Sequence, residues 1–253
     1  MQSVVTGGAG NLGLVAIQAL LEHGATGIAI FDVLSTLVPA QSEIQRLQAE
    51  FPQAKLIVVE VDITEDKKVE KAVEEAKLML GTIDMLLCFA GVVATTHAVD
   101  VTPAEWRRVL DINMTGSWLC AQAVSKFVLQ SQMIAQGTGG SIVFVASMAG
   151  HIVLYPQPQV AYNASKAGVQ HMTRCLAAEW ARYGIRVNSI SPGYMNTILN
   201  AGDSLETLRN TWAERNPMGR MGEPEELTGI VILLCSRVAG RYITGEDIIV
   251  DGE

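Results

Sequence analysis

Tyr162 and Lys166 stand four residues apart in Ala-Tyr-Asn-Ala-Ser-Lys-Ala at 161–167, and this spacing puts a phenol and an ammonium on one face of a helix. A positive charge beside a phenol favours the phenolate. At about 4 Å and an effective dielectric of about 20 the attraction is worth about 4 kcal/mol. At ~1.4 kcal/mol per unit, that lowers a phenol from its usual value near ~10 by up to about three units. Tyr162 is therefore expected to exchange protons near neutral pH. A Tyr and a Lys at this spacing also occur on ordinary amphipathic helices, so the pair takes its meaning from its surroundings. Upstream, Ser147 closes the apolar run Ser-Ile-Val-Phe-Val-Ala-Ser, which reads as a buried strand delivering a hydroxyl at its C-terminal end.

A second constellation lies near the N-terminus. Thr6-Gly7-Gly8-Ala9-Gly10-Asn11-Leu12-Gly13 follows the first apolar run and opens a helical segment, where glycines let the backbone approach a pyrophosphate resting on the helix N-terminus. Many turns use glycine for positive φ, so the following acid matters. The next apolar run, Gly-Ile-Ala-Ile-Phe, ends at Asp32, nineteen residues after Gly13, where a carboxylate can bond both ribose hydroxyls of an adenosine. The same carboxylate would repel a 2′-phosphate, and neither the turn nor Val33-Leu34 supplies an Arg or Lys to attract one. The residues thus predict NAD over NADP, against the alternative that Asp32 caps the next helix.

These residues need elements to place them. Apolar β-branched runs recur at 3–6, 27–31, 55–61, 83–88, 141–146, 185–190 and 247–250. Helix-period segments separate them at 12–23, 36–50, 65–80, 103–136 with a break near Gly116, 160–183, 204–214 and 224–236. Thr64 with Asp66 and Lys67, and Thr102-Pro103-Ala104-Glu105, carry N-cap and first-turn signals. Such alternation predicts a single α/β domain over 1–253, a Rossmann-type doubly wound parallel sheet of about seven strands with helices on both faces. Ligands bind beyond the C-terminal strand ends of such a sheet.

Composition narrows the classes. The chain of 253 residues is 49% hydrophobic and 17% charged, with a net charge of −8, and it has no Lys/Arg cluster for nucleic acid or an anionic membrane. A small-molecule substrate fits better. No apolar run reaches the roughly 18 residues of a membrane span, and the strand-like start is unlike a signal peptide, so a soluble, cytoplasmic protein is expected. Cys88, Cys120, Cys175 and Cys235 lie apart in apolar stretches and read as small core residues. Neither they nor the four scattered histidines suggest a metal site.

With these pieces in place the chain resembles the short-chain dehydrogenase/reductase family from about residue 3 to 252. The resemblance rests on the glycine turn, Asp62, Ala90-Gly91, Asn113, Ser147, Tyr162 with Lys166, and Pro192-Gly193 with Thr197. It implies a catalytic tetrad of Asn113, Ser147, Tyr162 and Lys166. In it Ser147 holds the substrate oxygen, Tyr162 exchanges the proton, Lys166 also holds the nicotinamide ribose, and Asn113 supports a water leading from Lys166 to solvent. It further implies that Gly7, Asn11, Leu12, Gly13 and Asp32 bind the cofactor, with Asp62 and Ile63 at the adenine and Ala90-Gly91 on the cleft floor. Pro192, Gly193 and Thr197 would orient the nicotinamide amide. Two departures stand out. Asn11 replaces the family's usual Gly, although Asn tolerates the left-handed region better than most residues. Cys88-Phe89 replaces the usual Asn-Asn, placing a bulky ring at the cleft wall.

Several stretches, among them Pro-Gln-Pro-Gln-Val-Ala-Tyr-Asn-Ala-Ser-Lys, are similar to a fungal branch acting on sugar alcohols and ketoses of the D-arabinitol, mannitol and sorbose type. His151, Gln157 and Gln159 lie between Ser147 and Tyr162, where with Ser147 and Tyr162 they would meet the hydroxyls of a polyol. Their alternative is solvent or a neighbouring subunit. Met148, Ile152, Tyr155 and 195–199 are apolar enough for a hydrophobic ketone or an acyl thioester instead. A non-catalytic sensor of NAD and NADH would not need the tetrad. The resemblance also implies a homodimer or homotetramer built on the helices at 103–136 and 160–183, and a substrate lid at 194–216.

Overall fold

The computed structural model describes residues 1–130, 139–197 and 205–253. Seven strands form one parallel sheet: β1 (Gln2–Thr6), β2 (Gly27–Asp32), β3 (Lys55–Glu60), β4 (Met85–Cys88), β5 (Gly140–Val145), β6 (Ile185–Pro192) and β7 (Asp247–Val250). Their order is β3-β2-β1-β4-β5-β6-β7, every neighbour parallel. The helices are α1 (Asn11–Glu22), α2 (Leu34–Glu50), α3 (Asp66–Leu80), α4 (Pro103–Leu110), α5 (Ser117–Gln130), α6 (Val160–Trp180), α7 (Glu206–Arg215) and α8 (Thr228–Cys235). The expected Rossmann-type alternation is what the chain adopts.

The central strands are apolar on both sides because both faces of the sheet are covered. Phe31, Ile57 and Phe144 pack with Val73 of α3, Val124 of α5 and Leu176 of α6. Val5, Ile30 and Leu87 pack with Ile17 of α1, Ile44 of α2 and Leu234 of α8. Strand order reverses between β1 and β4, so the chain leaves these strands toward opposite ends of the sheet. A crevice opens there at their C-terminal ends.

Helix boundaries follow local chemistry. Thr102 caps α4 as expected: its hydroxyl accepts from Glu105 N at 3.1 Å, and Pro103 occupies N1. Thr64 does not cap α3. Glu65 holds the N-cap position with no side-chain bond, while Thr64 donates its amide and hydroxyl to Asp62 Oδ1 at 2.9 and 2.8 Å. Asp62 ties the Thr64 amide and hydroxyl into an Asx-type turn ahead of the helix, and the helix begins one residue later than a Thr64 cap would start it.

The expected break near Gly116 is not a break. A π-helical turn, Asp111–Gly116, joins α4 to α5 without interruption. A Cβ on Gly116 would stand 2.7 Å from Ile63 Cδ1, so glycine here lets the helix close on the loop after β3. Residues 131–136 of the same expected segment lie outside the described residues. Cys88, Cys120 and Cys235 are buried, whereas Cys175 is exposed. It shares the outer stripe of α6 with His171, Arg174 and Ala178, so periodicity overrides its apolar neighbours. Among the described residues no helix is long and apolar enough to cross a membrane. No group of three His, Cys, Asp or Glu is placed to hold a metal ion among them either.

Candidate active site

The crevice floor is backbone packed on backbone. Gly7 has φ +63°, and a Cβ on it would stand 2.4 Å from Ala90 N; one on Gly13 would stand 2.3 Å from Gly7 O. Only glycine fits either position. Gly10, before α1, has no side chain to cap the helix, which leaves the helix start to an external acceptor such as phosphate. Asn11 needs no left-handed backbone: it is the first residue of α1, and no described non-glycine residue has positive φ. Phe89 leans on the core at α1 and α8, beside Leu12, Ala16 and Val231, which absorb its bulk.

Asp32 ends β2 beside this turn. Its Oδ2 accepts from Ala9 N at 3.1 Å and its Oδ1 from Val33 N at 2.9 Å. Burial pushes the carboxyl up, opposed by the Val33 and Ala9 amides and the Thr36 hydroxyl. Asp62 presents an exposed carboxylate engaged by Thr64, and the Ile63 side chain is buried against Gly116. A glycine cradle, an uncapped helix start and an acid at the next strand end fit the phosphates and ribose of a nicotinamide dinucleotide.

The remaining residues assemble at the ends of β4 and β5. Ser147 follows β5 in extended backbone, φ −172°, and is 7% exposed. Its Oγ accepts from Ala149 N at 3.1 Å, and the Tyr162 hydroxyl is hydrogen-bonded to it. Lys166 Nζ donates to Val145 O at 2.7 Å and lies 5.6 Å from the Tyr162 ring centroid. The Cβ position of Gly91 is 3.4 Å from Asn113 Oδ1 and 3.5 Å from Lys166 Nζ. Asn113, in the π turn, accepts from Val92 N at 2.8 Å and donates to Val92 O and Ser165 Oγ at 2.9 Å each. Asn113 and Lys166 thus meet at Gly91, and Lys166 adjoins the Tyr162 ring, whose hydroxyl reaches Ser147.

The electrostatics of Tyr162 differ from those expected of the Tyr-Lys spacing. The lysine was expected to lower the Tyr162 phenol, yet burial pushes it up, and only the Ser147 hydrogen bond opposes that. Lys166 faces the Val145 carbonyl and the ring rather than carrying a compensating charge to the hydroxyl, so desolvation wins. Burial also lowers the Lys166 ammonium from 10.5 to about 8, with Cys88 opposing. A lysine depressed in the folded state adds stability above its unfolded value and loses it as pH falls through the folded one. The stability of the wild type relative to Lys166→Met is thus expected to rise between about pH 8 and 10.5. The rise is on the order of 3 kcal/mol at ~1.4 kcal/mol per unit. Urea unfolding of both proteins at pH 7 and 10.5 reads it; a gap independent of pH would refute the assignment.

Beyond β6, Gly193 N donates to Val250 O at 2.9 Å and Thr197 N to Met195 O at 2.9 Å, with Thr197 buried. Within the expected lid, Tyr194 stacks on Trp212 of α7 with centroids 4.2 Å apart and planes 8° apart. Residues 198–204 of the expected lid, including part of the apolar stretch 195–199, lie outside the described residues. The Tyr194 hydroxyl donates to Gln157 Oε1, and burial pushes that phenol up to about 12, with Arg215 opposing. His151 goes elsewhere: its Nε2 bonds Asp247 Oδ2 at 2.6 Å. Gln159 is 8% exposed, and its Oε1 has no hydrogen-bond partner. Trp212 was expected in the lid, whereas Tyr194, Gln170 and Asp247 were not singled out by the residue pattern. Tyr194 had a signal in its place directly after Pro192-Gly193.

A sheet of this order with a cradle at its switch point belongs to the Rossmann-like, dinucleotide-binding class. Residues 8–252 match a family profile described as enoyl-(acyl carrier protein) reductase. A short-chain type dehydrogenase/reductase from Mycobacterium marinum superposes with a TM-score of 0.89 at 36% identity, covering 99% of this chain and 94% of that one. The chain belongs to the short-chain dehydrogenase/reductase family and is an oxidoreductase. Within the family it is similar to an NADP-dependent mannitol dehydrogenase of Hypocrea jecorina, 36% identical over 98% of this chain and 90% of the relative. It is also similar to a ribulose-forming D-arabinitol 2-dehydrogenase of Scheffersomyces stipitis, 34% identical over 99% and 92%, and to an NAD-dependent glycerol dehydrogenase of Listeria innocua, 35% identical over 99% and 92%.

Proposed function

We propose that this single-domain protein is an NAD-dependent dehydrogenase that interconverts a sugar alcohol and its ketose. Ser147 holds the reacting oxygen through its hydroxyl. Tyr162, bonded to Ser147, exchanges the proton of that oxygen. Lys166 carries a proton donor to the back of the tyrosine and to the nicotinamide ribose, and Asn113 holds the Val92 backbone and Ser165 around it. Gly7, Asn11, Leu12, Gly13, Asp32, Asp62, Ile63, Ala90, Gly91, Pro192, Gly193 and Thr197 would hold the dinucleotide, which when bound supplies or takes the hydride. Asp32, with no cation beside it, favours NAD.

Gln159 carries the substrate half of this reading. It lies three residues before Tyr162, buried, with an unpartnered Oε1. A buried acceptor left alone costs about 1–3 kcal/mol, and a substrate hydroxyl relieves that cost where an unsubstituted alkyl chain does not. Gln157 with Tyr194 would meet a second hydroxyl. Mannitol, arabinitol and glycerol dehydrogenases among the relatives support a polyol. The stacked Tyr194–Trp212 pair favours a second reading, a carbonyl reductase of a hydrophobic ketone, and an NADPH-dependent 3-quinuclidinone reductase from Rhodotorula rubra is a structural neighbour. Partly exposed Trp106 and Trp118 on α4 and α5 support a homo-oligomer, acting in the cytoplasm.

NADH formation at alkaline pH should appear with at least one of arabinitol, mannitol, sorbitol and xylitol. It should be weaker with simple secondary alcohols and with NADP. Silence on every polyol with turnover of a hydrophobic ketone would replace the first reading by the second.

A further inference from the structure

Tyr162, Lys166 and Gln170 stand at i, i+4 and i+8 of α6, on one stripe of the helix. The first two belong to the catalytic group; the third is a neutral amide, 5% exposed. Its Nε2 donates to the main-chain oxygen of Ser147 at 2.9 Å and to Ser191 Oγ on β6 at 3.0 Å. Ser191 in turn donates to Asp247 on β7, 2.8 Å from Oδ2 and 3.0 Å from Oδ1. The Asp247 side chain is 2% exposed and also receives Ser189 Oγ at 2.5 Å and His151 Nε2 at 2.6 Å.

The direction of this chain is dictated from its acidic end. An ionised carboxylate only accepts, so the Ser191 hydroxyl spends its proton on Asp247 and turns a lone pair to Gln170. Gln170 must then present its NH2, whose second N–H meets the Ser147 carbonyl. The turn after Ser147 is moulded on the amide: a Cβ on Gly150 would stand 2.6 Å from Gln170 Nε2. The carbonyl of Ser147 is thereby held by Gln170, while its hydroxyl meets Tyr162.

We propose that Gln170, oriented by Ser191 and Asp247, is a positioning residue that holds Ser147 in place for proton transfer. The inference rests on the preceding assignment of Ser147 and Tyr162. Misplacing a reacting group by about 1 Å can cost about 100-fold, and a flexible hydroxyl is easily misplaced.

The test uses the intact protein with the alcohol that the panel selects. Gln170→Glu keeps the shape and replaces the donor by an acceptor facing the Ser147 carbonyl. Its kcat should fall by about 10- to 100-fold at pH 8, with the NADH Kd within about two-fold of wild type. As pH falls toward 5.5, the carboxyl protonates and can donate to Ser147 O again, so the ratio of variant to wild-type kcat should rise. Tyr162, Lys166, Asp247 and His151 are the same in both proteins, so their contributions largely cancel in that ratio. A wild-type kcat, a matching loss of NADH binding, or a ratio independent of pH would each overturn the proposal. Should Q170E fail to fold, Ser191→Ala decides: a kcat several-fold lower supports the chain, an unchanged one overturns it. Tyr162→Phe and Ser147→Ala run alongside, and full turnover in them would instead overturn the underlying assignment.

Discussion

Replacing Tyr162 by Phe is expected to lower kcat by about 1,000-fold or more, while NADH binding stays within a few-fold of wild type. General acid–base catalysis of this kind contributes about 100- to 10,000-fold, and ~1,000-fold corresponds to about 4 kcal/mol of barrier. The ring and its packing survive the change; only the hydroxyl bonded to Ser147 is lost. Burial raises this phenol in the free protein, which sets the pH dependence. The protonated phenol is the form that donates to a ketone, so reduction is expected to be flat through neutral pH and to fall in alkali. Oxidation needs the deprotonated form, so its kcat/KM is expected to rise with pH through the same range. Initial rates in both directions from pH 6 to 10.5 check this. Retained turnover in Y162F, or profiles of the opposite sign, would remove Tyr162 from the reaction.

The second large effect concerns Asp32. Asp32→Ser is expected to shift the ratio of kcat/KM for NAD over NADP by about 1,000-fold toward NADP. Hydrogen bonds from ribose hydroxyls to a charged acceptor are worth about 1.5–3 kcal/mol. A 2′-phosphate brings a further charge against the same carboxylate, at about 4 kcal/mol per unit charge pair near 4 Å before screening. Relatives divide on this point, with an NADP-dependent mannitol dehydrogenase and an NADH-dependent L-xylulose reductase at similar identity, so the residue at the end of β2 is where this chain's preference is tested. If the ratio does not move, the Asp32 carboxylate serves only the Ala9 and Val33 amides.

Much of this was legible in the residues. Strand positions came from β-branched runs buried on both faces, and all seven formed. The glycine turn, Asp32, Ser147, Tyr162 and Lys166 were placed by spacing alone, because helix and strand periods fix which side chains meet. What spacing leaves open is solvation. The i, i+4 rule put an ammonium beside the Tyr162 ring but not its net effect, since desolvation depends on walls distant in sequence that a local window does not see. His151 shows the same limit: a polar residue near Ser147 found its partner on β7, ninety-six positions away. Thr64 shows it at short range, where one carboxylate two residues back outweighed a capping signal.

The π turn at Asp111–Gly116 adds a residue to a helical rod that otherwise advances about 100° per residue. The two halves of the rod are therefore out of phase. On the far side of the turn, Cys120, Ala121 and Val124 face the sheet core, while within it Asn113 faces Val92 and Ser165. A uniform α-helix through these residues would offer one inward stripe to one neighbour. The slipped rod offers two, one apolar to the core and one polar to the chemistry, as two cams keyed at different angles on a single shaft.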